Sequence, residues 1–362
     1  MQPKGEQLSG GSRIRRPDLS EREELVLRYI VQHYVLTANP VGSRYLSKRL
    51  EEESLSAATL RNVMADLEEK GYITHPHTSA GRMPTDIGYR LYVDMLVRME
   101  GVSHEVQREI AERFDPRGVQ GDMLKETSRL IAAITKQLGV VTTPEILDGT
   151  LDRLELVQLA SNRLMVVLSL RAGLVKTVML ELIEDVERDR IEAVSALLNE
   201  RLVGLTIREI QSTFRDRLKD LADQPDTGGL VRYFIDSADR VFDNRTGSDR
   251  IHLVPASDIL HQPEFSSTDQ FRGIVELMEN EEIIIHLLEE NQPQPDTVRV
   301  TIGSELGDER MQEYSMIATR YRAGETYGTI GLIGPKRMDY ARLMSLVGFV
   351  AARLSEGFGE GS

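Results

Sequence analysis

The amino-acid sequence predicts a multidomain α+β protein, and three features indicate this class. The chain has 362 residues, more than a single hydrophobic core usually serves. Its first hundred residues combine helical periodicity with a Gly/Pro-rich hairpin signal. Beyond them, apolar runs rich in Val, Ile and Leu alternate with turn residues, as in an antiparallel sheet, and a helical stretch interrupts these runs.

The N-terminal segment begins with an arm and two helices. Residues 1–17 are basic and rich in Gly and Ser, and because no apolar stretch follows them, we interpret them as a flexible arm and not as a signal peptide. Ser20 and Glu23 form an S-x-x-E capping box, which predicts a helix to about Thr37. After a break, Ser43 is expected to cap a short second helix.

A third helix and a hairpin complete this segment. Ser56 is a natural N-cap, and Gly71 suits the left-handed position after the helix. Short strands are expected at 72–74 and 82–83, on either side of a Gly/Pro-rich tip. Three helices followed by such a hairpin predict a winged helix-turn-helix domain over residues 18–98. The apolar stripe of the third helix, with a 3.6-residue period, consists of Leu60, Val63, Met64 and Leu67.

The rest of the chain is predicted to form one α/β domain with an antiparallel sheet, from residues 104–185 and 251–356. A helical period that extends to Leu138 precedes three strand-like runs, and further runs and a terminal helix follow the interruption. Residues 186–250 show three helical patterns instead. The simplest topology joins all the strands in one sheet, from which this mainly helical insertion projects.

Composition and charge restrict the possible functions. The chain has no cysteine, so disulfides, thiol catalysis and cysteine-bound zinc are excluded. No apolar run approaches the roughly 18 residues of a membrane helix, and we expect a cytoplasmic protein. The net charge is −14, but residues 1–100 hold 14 Lys or Arg and 14 Asp or Glu, so the acidic surplus lies in the C-terminal part. A neutral N-terminal domain can bind phosphate when its positive charge faces one way.

No catalytic, cofactor or metal site is expected. Gly328, Gly331 and Gly334 match neither a dinucleotide-binding nor a P-loop motif, and the end of an apolar strand with a Gly-Pro turn explains them. The histidines at 75 and 77 have no nearby acidic residue to complete a metal site. His286 is interpreted as a packed core histidine. An enzyme is therefore the least expected class.

The third helix suits sequence-specific recognition of double-stranded DNA. Small residues at its N-terminus allow close approach to base edges, and an arginine and an asparagine offer paired hydrogen bonds to guanine and adenine. The predicted base-reading residues are Ser56, Ala58, Thr59, Arg61 and Asn62. Contacts with phosphate or through the wing are predicted for Ser43, Arg44, His77, Ser79 and Arg82.

Three stretches of this segment resemble the signatures of a known family. PVGSRYLS (40–47), SAATLRNVMADLEEKGYI (56–73) and PHTSAGRMPTDIGYRLYVD (76–94) are similar to the N-terminal motifs of the HrcA family of heat-inducible transcription repressors. The sequence departs from the family pattern at Leu60, where isoleucine is usual, and at Met83, where a β-branched residue is usual. Both changes conserve volume and should leave the DNA-facing side unaltered.

The resemblance implies an architecture and a mechanism for the chain after the arm. A GAF-like domain would correspond to residues 104–185 and 251–356, and an inserted dimerising domain to residues 186–250. A homodimer would bind an inverted-repeat operator, known as CIRCE, upstream of chaperonin and DnaK operons and would block transcription. The GroEL chaperonin would modulate this activity.

Two alternatives remain open from the sequence. The GAF-like domain could bind a small effector, which would make the chain a ligand-sensing winged-helix repressor. The winged helix could instead bind protein in place of DNA, which would make the chain an interaction module.

Overall fold

The structure, a computed structural model, describes residues 19–50, 55–76, 81–96, 101–113, 120–171, 173–182, 185–222, 228–242, 250–256, 262–266 and 268–359. It is a mixed α+β fold whose described sheets are antiparallel. The chain divides into two compact units, Met1–Leu96 and Val97–Ser362. The predicted arm, the turn between the second and third helices and most of the hairpin tip lie outside the described residues.

The first unit contains four α-helices, a π-helical segment and two short strands in its described part. The helices are α1 (Glu21–Thr37), α2 (Ser43–Arg49), α3 (Ala57–Glu69) and α4 (Asp86–Leu91), followed by the π-helical segment Tyr92–Leu96. The strands are β1 (Ile73–Thr74) and β2 (Met83–Pro84), which pair with each other.

Local sequence signals set the helices of the first unit. Ser20 caps α1 and forms the predicted capping box with Glu23, and Ser56 caps α3. Gly71 follows α3 with a φ of 79°, the left-handed conformation that glycine adopts without a steric penalty. The four apolar residues of the predicted stripe are the buried residues of α3. This side of α3 packs against α1 and α2.

The second unit contains two sheets and the remaining helices. Its helices are α5 (His104–Arg113), α6 (Gln120–Thr135), α7 (Arg188–Leu202), α8 (Ile207–Leu218), α9 (Gly228–Asp236), α10 (Ala238–Phe242), α11 (Thr268–Glu279), α12 (Glu281–Glu290) and α13 (Tyr340–Gly359). Its strands are β3 (Leu138–Thr142), β4 (Leu151–Ala160), β5 (Arg163–Leu170), β6 (Val175–Glu181), β7 (Ile251–Pro255), β8 (Arg299–Ile302), β9 (Tyr314–Ala323) and β10 (Thr326–Pro335). Short 3-10 segments lie at Pro263–Ser266, Gly303–Leu306 and Glu309–Met311.

Five strands form one sheet in the order β7-β3-β10-β9-β8. The central strand, β10, contains the three glycines of the G-x-x-G-x-x-G pattern, which confirms that they belong to a strand. Gly331 allows a close approach of its neighbour, because a Cβ there would lie 2.5 Å from the carbonyl oxygen of Ile317 in β9. Val140 and Ile333 of this sheet form a buried core with Ile284 of α12.

Strands β4, β5 and β6 form a separate three-stranded meander sheet, so the prediction of a single sheet is wrong. Helix α7 packs against strand β4 of the meander sheet. The side-chain amide of Asn199 donates to the carbonyl oxygen of Leu154 at 2.6 Å, and its oxygen accepts from the Leu154 N–H at 2.9 Å. Thr150 also forms an isolated bridge with Thr206 at the start of α8. The meander sheet therefore packs with the helices that follow it in the chain.

Three helix boundaries also differ from prediction. Leu138 begins strand β3, because α6 ends at Thr135 and Lys136 takes a left-handed φ of 59°. The N-cap of α2 is Gly42, so Ser43 is the first helical residue and not the cap. The third helical pattern of the insertion is divided into α9 and α10 at residue 237.

Candidate nucleic-acid interface

Helix α3, which we call the reading helix, has one buried and one exposed side. Its apolar stripe faces the core of the first unit, which leaves Ala58, Arg61 and Asn62 exposed. Within the described ranges Arg61 forms no ion pair, so its guanidinium group is available to a partner. An arginine and an asparagine on one exposed helix side can both form paired hydrogen bonds with base edges.

Two other predicted base-reading residues hold the first turn of the reading helix. The Ser56 hydroxyl accepts a hydrogen bond from the Thr59 N–H at 3.1 Å, and the two hydroxyl oxygens lie 2.9 Å apart. Ser56 is exposed and Thr59 is half-buried. These contacts stabilise the N-terminus that would approach a ligand.

Helix α2 concentrates positive charge. Its seven residues include Arg44, Lys48 and Arg49 and contain no acidic residue. All three basic side chains are exposed, and none of them pairs with an acidic group among the residues that the structure describes. Ser43, at the first position of the helix, is half-buried. Of the three cations, only Arg44 was predicted from the sequence to contact phosphate.

Strands β1 and β2 form a two-stranded ribbon that is tied, at the end next to the hairpin tip, to the residues before α2. Val41 and Arg82 exchange two backbone hydrogen bonds, of 2.8 and 2.9 Å. This pairing requires glycine at position 81, because a Cβ there would lie 2.7 Å from atoms of Pro40. The ribbon is therefore fixed beside the start of α2, because Val41, the partner of Arg82, lies two residues before Ser43.

The side chain of Arg82 is bound to the reading helix. Glu68, in the last turn of that helix, accepts a hydrogen bond from the Nε of Arg82 at 2.9 Å, and the same oxygen lies 2.8 Å from Nη2. The other oxygen of Glu68 lies 2.5 Å from Nδ1 of His75. The hydrogen bond with His75 and the positive charge of Arg82 lower the pKa of the Glu68 carboxyl. The predicted wing cation is thus already ion-paired.

The role of Glu68 was not predicted from the sequence. A signal for it exists, since Glu68 follows Arg61 by seven residues, or two helical turns, and so lies on the same side of the reading helix. Its partners come from a hairpin whose register the sequence does not reveal. The other two predicted wing residues, His77 and Ser79, lie outside the described residues.

A cavity of about 440 Å³ lies in the second unit. Four of its five ionisable lining side chains lie in two pairs. Nε2 of His286 lies 3.2 Å from Oε1 of Glu290, and Nη2 of Arg310 lies 2.5 Å from Oδ2 of Asp308. The interpretation of His286 as a core residue is wrong, because its side chain is 68% exposed.

The described ranges contain neither a metal-binding cluster nor a membrane-spanning helix. No group of three or more His, Asp or Glu side chains there is arranged to hold a metal ion. None of the described helices has the length and apolar character needed to cross a bilayer.

Comparison with known proteins gives the class of this chain. The heat-inducible transcription repressor HrcA of Chlorobium phaeobacteroides (strain BS1) is 42% identical over 349 residues, which cover 93% of this chain and 98% of the relative. The HrcA repressor of Prosthecochloris aestuarii is 40% identical over 354 residues, which cover 95% of this chain and 98% of that relative. A crystal structure of a hypothetical protein, 24% identical, matches 95% of this chain and 100% of that chain with a TM-score of 0.56, which supports the fold alone.

These relatives define a class of transcription repressors and not of enzymes. The family model described as the HrcA protein C terminal domain matches residues 121–344, more than half of the chain. The chain belongs to the HrcA family of heat-inducible transcription repressors.

Proposed function

We propose that this repressor binds double-stranded operator DNA through a winged-helix domain over residues 18–98. The observation that carries the proposal is the exposed Arg61 on a reading helix whose opposite side is fully packed. Three helices followed by an antiparallel ribbon, tied to the start of α2 through Val41 and Arg82, support the winged-helix assignment.

The proposed interface has a base-reading part and a phosphate-binding part. Base reading is assigned to Ser56, Ala58, Thr59, Arg61 and Asn62 of the reading helix. Phosphate contacts are assigned to Ser43 and Arg44 at the start of α2, and wing contacts to His77, Ser79 and Arg82. The exposed cations of α2, which form no ion pair with any described residue, support this division, because positive charge attracts phosphate.

The repressor is proposed to act as a homodimer on an inverted repeat, the CIRCE operator of chaperonin and DnaK operons. A two-fold symmetric operator requires two reading helices related by a two-fold axis. The outer face of the meander sheet suits this pairing. Leu159, Val175 and Met179 are 52%, 54% and 41% exposed, and Met165 lies directly opposite Met179 on the same face. A contiguous exposed apolar face is typical of a protein interface.

The second unit is proposed to contain a GAF-like domain, from residues 104–185 and 251–356, and an inserted dimerising domain at 186–250. The five-stranded antiparallel sheet with helices packed on it supports the GAF-like assignment. The hydrogen bonds between Asn199 and Leu154 favour one refinement of the boundary. We assign the meander sheet to the inserted domain, which would then begin near residue 150.

Control by the GroEL chaperonin is proposed from the family resemblance. Such a repressor would need free chaperonin in order to bind its operator. It would leave the operator when unfolded proteins occupy the chaperonin. The proposed location is the cytoplasm, where both the operators and the chaperonin would be met.

A ligand-sensing repressor is the second candidate function. The cavity beside His286 and Arg310 supports it, because its volume of about 440 Å³ falls within the usual range for small-molecule sites. Against it, four of the five ionisable side chains that line the cavity already pair with one another. A metabolite that shifts operator affinity in the absence of chaperonin would favour this candidate.

A mobility shift with purified full-length chain tests the proposal. The duplex with the inverted repeat is compared with a scrambled duplex of equal length at several salt concentrations, with and without chaperonin. We expect preferential binding to the repeat, and Arg61→Ala should reduce the preference. Arg22→Ala removes an equal charge from an exposed position on α1 and serves as the matched control. Equal binding to both duplexes would refute the proposal, and binding to neither would favour a protein-interaction module.

A further inference from the structure

Glu68 joins the reading helix to both strands of the ribbon. Its Oε2 binds Arg82, which immediately precedes β2, and its Oε1 binds His75, which immediately follows β1. Thr74 of β1 pairs with Met83 of β2, so His75 and Arg82 stand at the same end of the ribbon, next to the tip. One carboxylate therefore fixes the end of the ribbon from which the tip extends.

The same contacts change what Arg82 can offer to DNA. Two of its nitrogens lie within 2.9 Å of one carboxylate oxygen, so the positive charge of the guanidinium is compensated locally. The side chain is also held in one orientation, and 27% of it remains exposed. Arg82 can present a fixed N–H donor to one phosphate, but it contributes little net charge.

Net charge and placement have different effects on DNA binding. Binding to random DNA depends on the number of cations that replace counterions, each contributing about 0.9 to the slope of log affinity against log salt. Operator binding also depends on a fixed register of the protein on the duplex, which oriented phosphate contacts provide. A cation that is held in place and neutralised by a carboxylate therefore contributes more to the register of the protein on its operator than to binding of random DNA.

We propose that Glu68 is a positioning residue that sets how strongly the repressor discriminates its operator from random DNA, an inference that rests on the proposed DNA-binding function. By holding Arg82 and His75, Glu68 fixes this end of the ribbon relative to Arg61, which lies on the same side of the reading helix. By neutralising the charge of Arg82, Glu68 prevents this cation from binding DNA phosphates irrespective of the base sequence.

The test measures the affinity of the full-length chain for operator and for scrambled duplex as a function of salt. Glu68→Gln should steepen the salt slope on scrambled duplex by about one, because Arg82 becomes a free cation, and should lower the ratio of operator to scrambled affinity. Glu68→Gln combined with Arg82→Gln should restore the wild-type slope. Glu69→Gln is the matched control, since Glu69 is an exposed neighbour that forms no ion pair with any described residue.

Arg82→Gln alone provides an independent arm if Glu68→Gln fails to fold. It should weaken operator binding severalfold while the salt slope on scrambled duplex changes by much less than one. A loss of about one in that slope would overturn the inference, because Arg82 would then act as a free phosphate-binding cation. A Glu68→Gln slope equal to that of Glu69→Gln would also overturn it. Equal wild-type affinity for both duplexes would instead refute the proposed function.

Discussion

The buried carboxylate of Glu23 holds helix α1 to the end of the reading helix, and Glu23→Gln tests how much this contact stabilises the first unit. Its Oε1 lies 2.7 Å from Nζ of Lys70, the residue that follows the reading helix. Its Oε2 accepts hydrogen bonds from the N–H and the hydroxyl of Ser20, at 2.7 and 2.9 Å. Glutamine can replace only part of this, because its amide nitrogen is a donor facing the Lys70 ammonium group.

The expected loss follows from the exposure of the two partners. A hydrogen bond to a charged group contributes about 1.5–3 kcal/mol when it is shielded from water. The Glu23 side chain is only 9% exposed, but that of Lys70 is 37% exposed, so solvent screening reduces the contribution of the ion pair. We therefore expect Glu23→Gln to lower the free energy of local unfolding by about 1–2 kcal/mol. This corresponds to a roughly 5–30-fold larger population of the locally unfolded state.

Hydrogen exchange of the backbone amides of the reading helix measures this loss in the full-length chain. Amides of α13, in the second unit, should exchange at the wild-type rate. Glu24→Gln is the matched control, because Glu24 is the next residue of α1 and forms no ion pair with any described residue. The reasoning is refuted if the reading helix of Glu23→Gln exchanges no faster than that of Glu24→Gln.

The pH dependence gives a second check on the same contact. Burial alone would raise the pKa of Glu23, but the hydrogen bonds from Lys70 and Ser20 together with the charge of Lys70 outweigh it, so the pKa is lowered. A lowered folded-state pKa means that the stabilisation is fully present above the ordinary glutamate pKa of about 4.3 and is lost as the pH falls through the folded-state value. The difference between wild type and Glu23→Gln should therefore shrink in acid, and a difference that persists there would contradict the assignment.

Substitutions at three further positions test other parts of the structure. Arg61→Ala should cost about 1–3 kcal/mol of operator binding and relax base preference in competition with substituted operators, whereas Arg61→Lys should recover the charge but not the selectivity. Gly88→Ala should destabilise the first unit by about 3 kcal/mol or more in hydrogen exchange, because its Cβ would lie 2.0 Å from the carbonyl oxygen of Tyr72. Met179→Lys should shift the chain towards monomer in sedimentation and weaken operator binding without altering the thermal unfolding of the first unit.

The first unit could be predicted closely because its signals are local. The caps at Ser20 and Ser56, the left-handed Gly71 and the buried stripe of the reading helix each depend on residues a few positions apart. Ser43 was misplaced by one position because glycine can begin a helix without a side-chain hydrogen bond. Such an N-cap leaves no polar side chain for a sequence pattern to detect.

The sheet arrangement of the second unit could not be predicted because its pairing is not local. Strand β3 has only five residues and continues the apolar period of α6, yet it pairs with β7 and β10, which lie more than a hundred residues later in the chain. Gly139 was the available signal. A Cβ there would lie 2.4 Å from the carbonyl oxygen of Ser128 in α6, so only glycine lets the helix lie this close to the strand.

The neutral charge of the N-terminal segment conceals a separation that matters for DNA binding. Ion pairs join Lys70 to Glu23 and Arg82 to Glu68, so both of these cations are compensated inside the first unit. Helix α2, Ser43–Arg49, has three basic residues and no acidic one, and the reading helix adds the unpaired Arg61. Counting charges along the sequence gives a net of zero. Among the described residues, however, four of the exposed cations that form no ion pair lie on the two helices proposed to contact DNA, and Arg22 lies on α1. The field that a phosphate meets depends on this distribution, because a compensated pair contributes little beyond its own contact distance, whereas neighbouring unpaired cations reinforce one another.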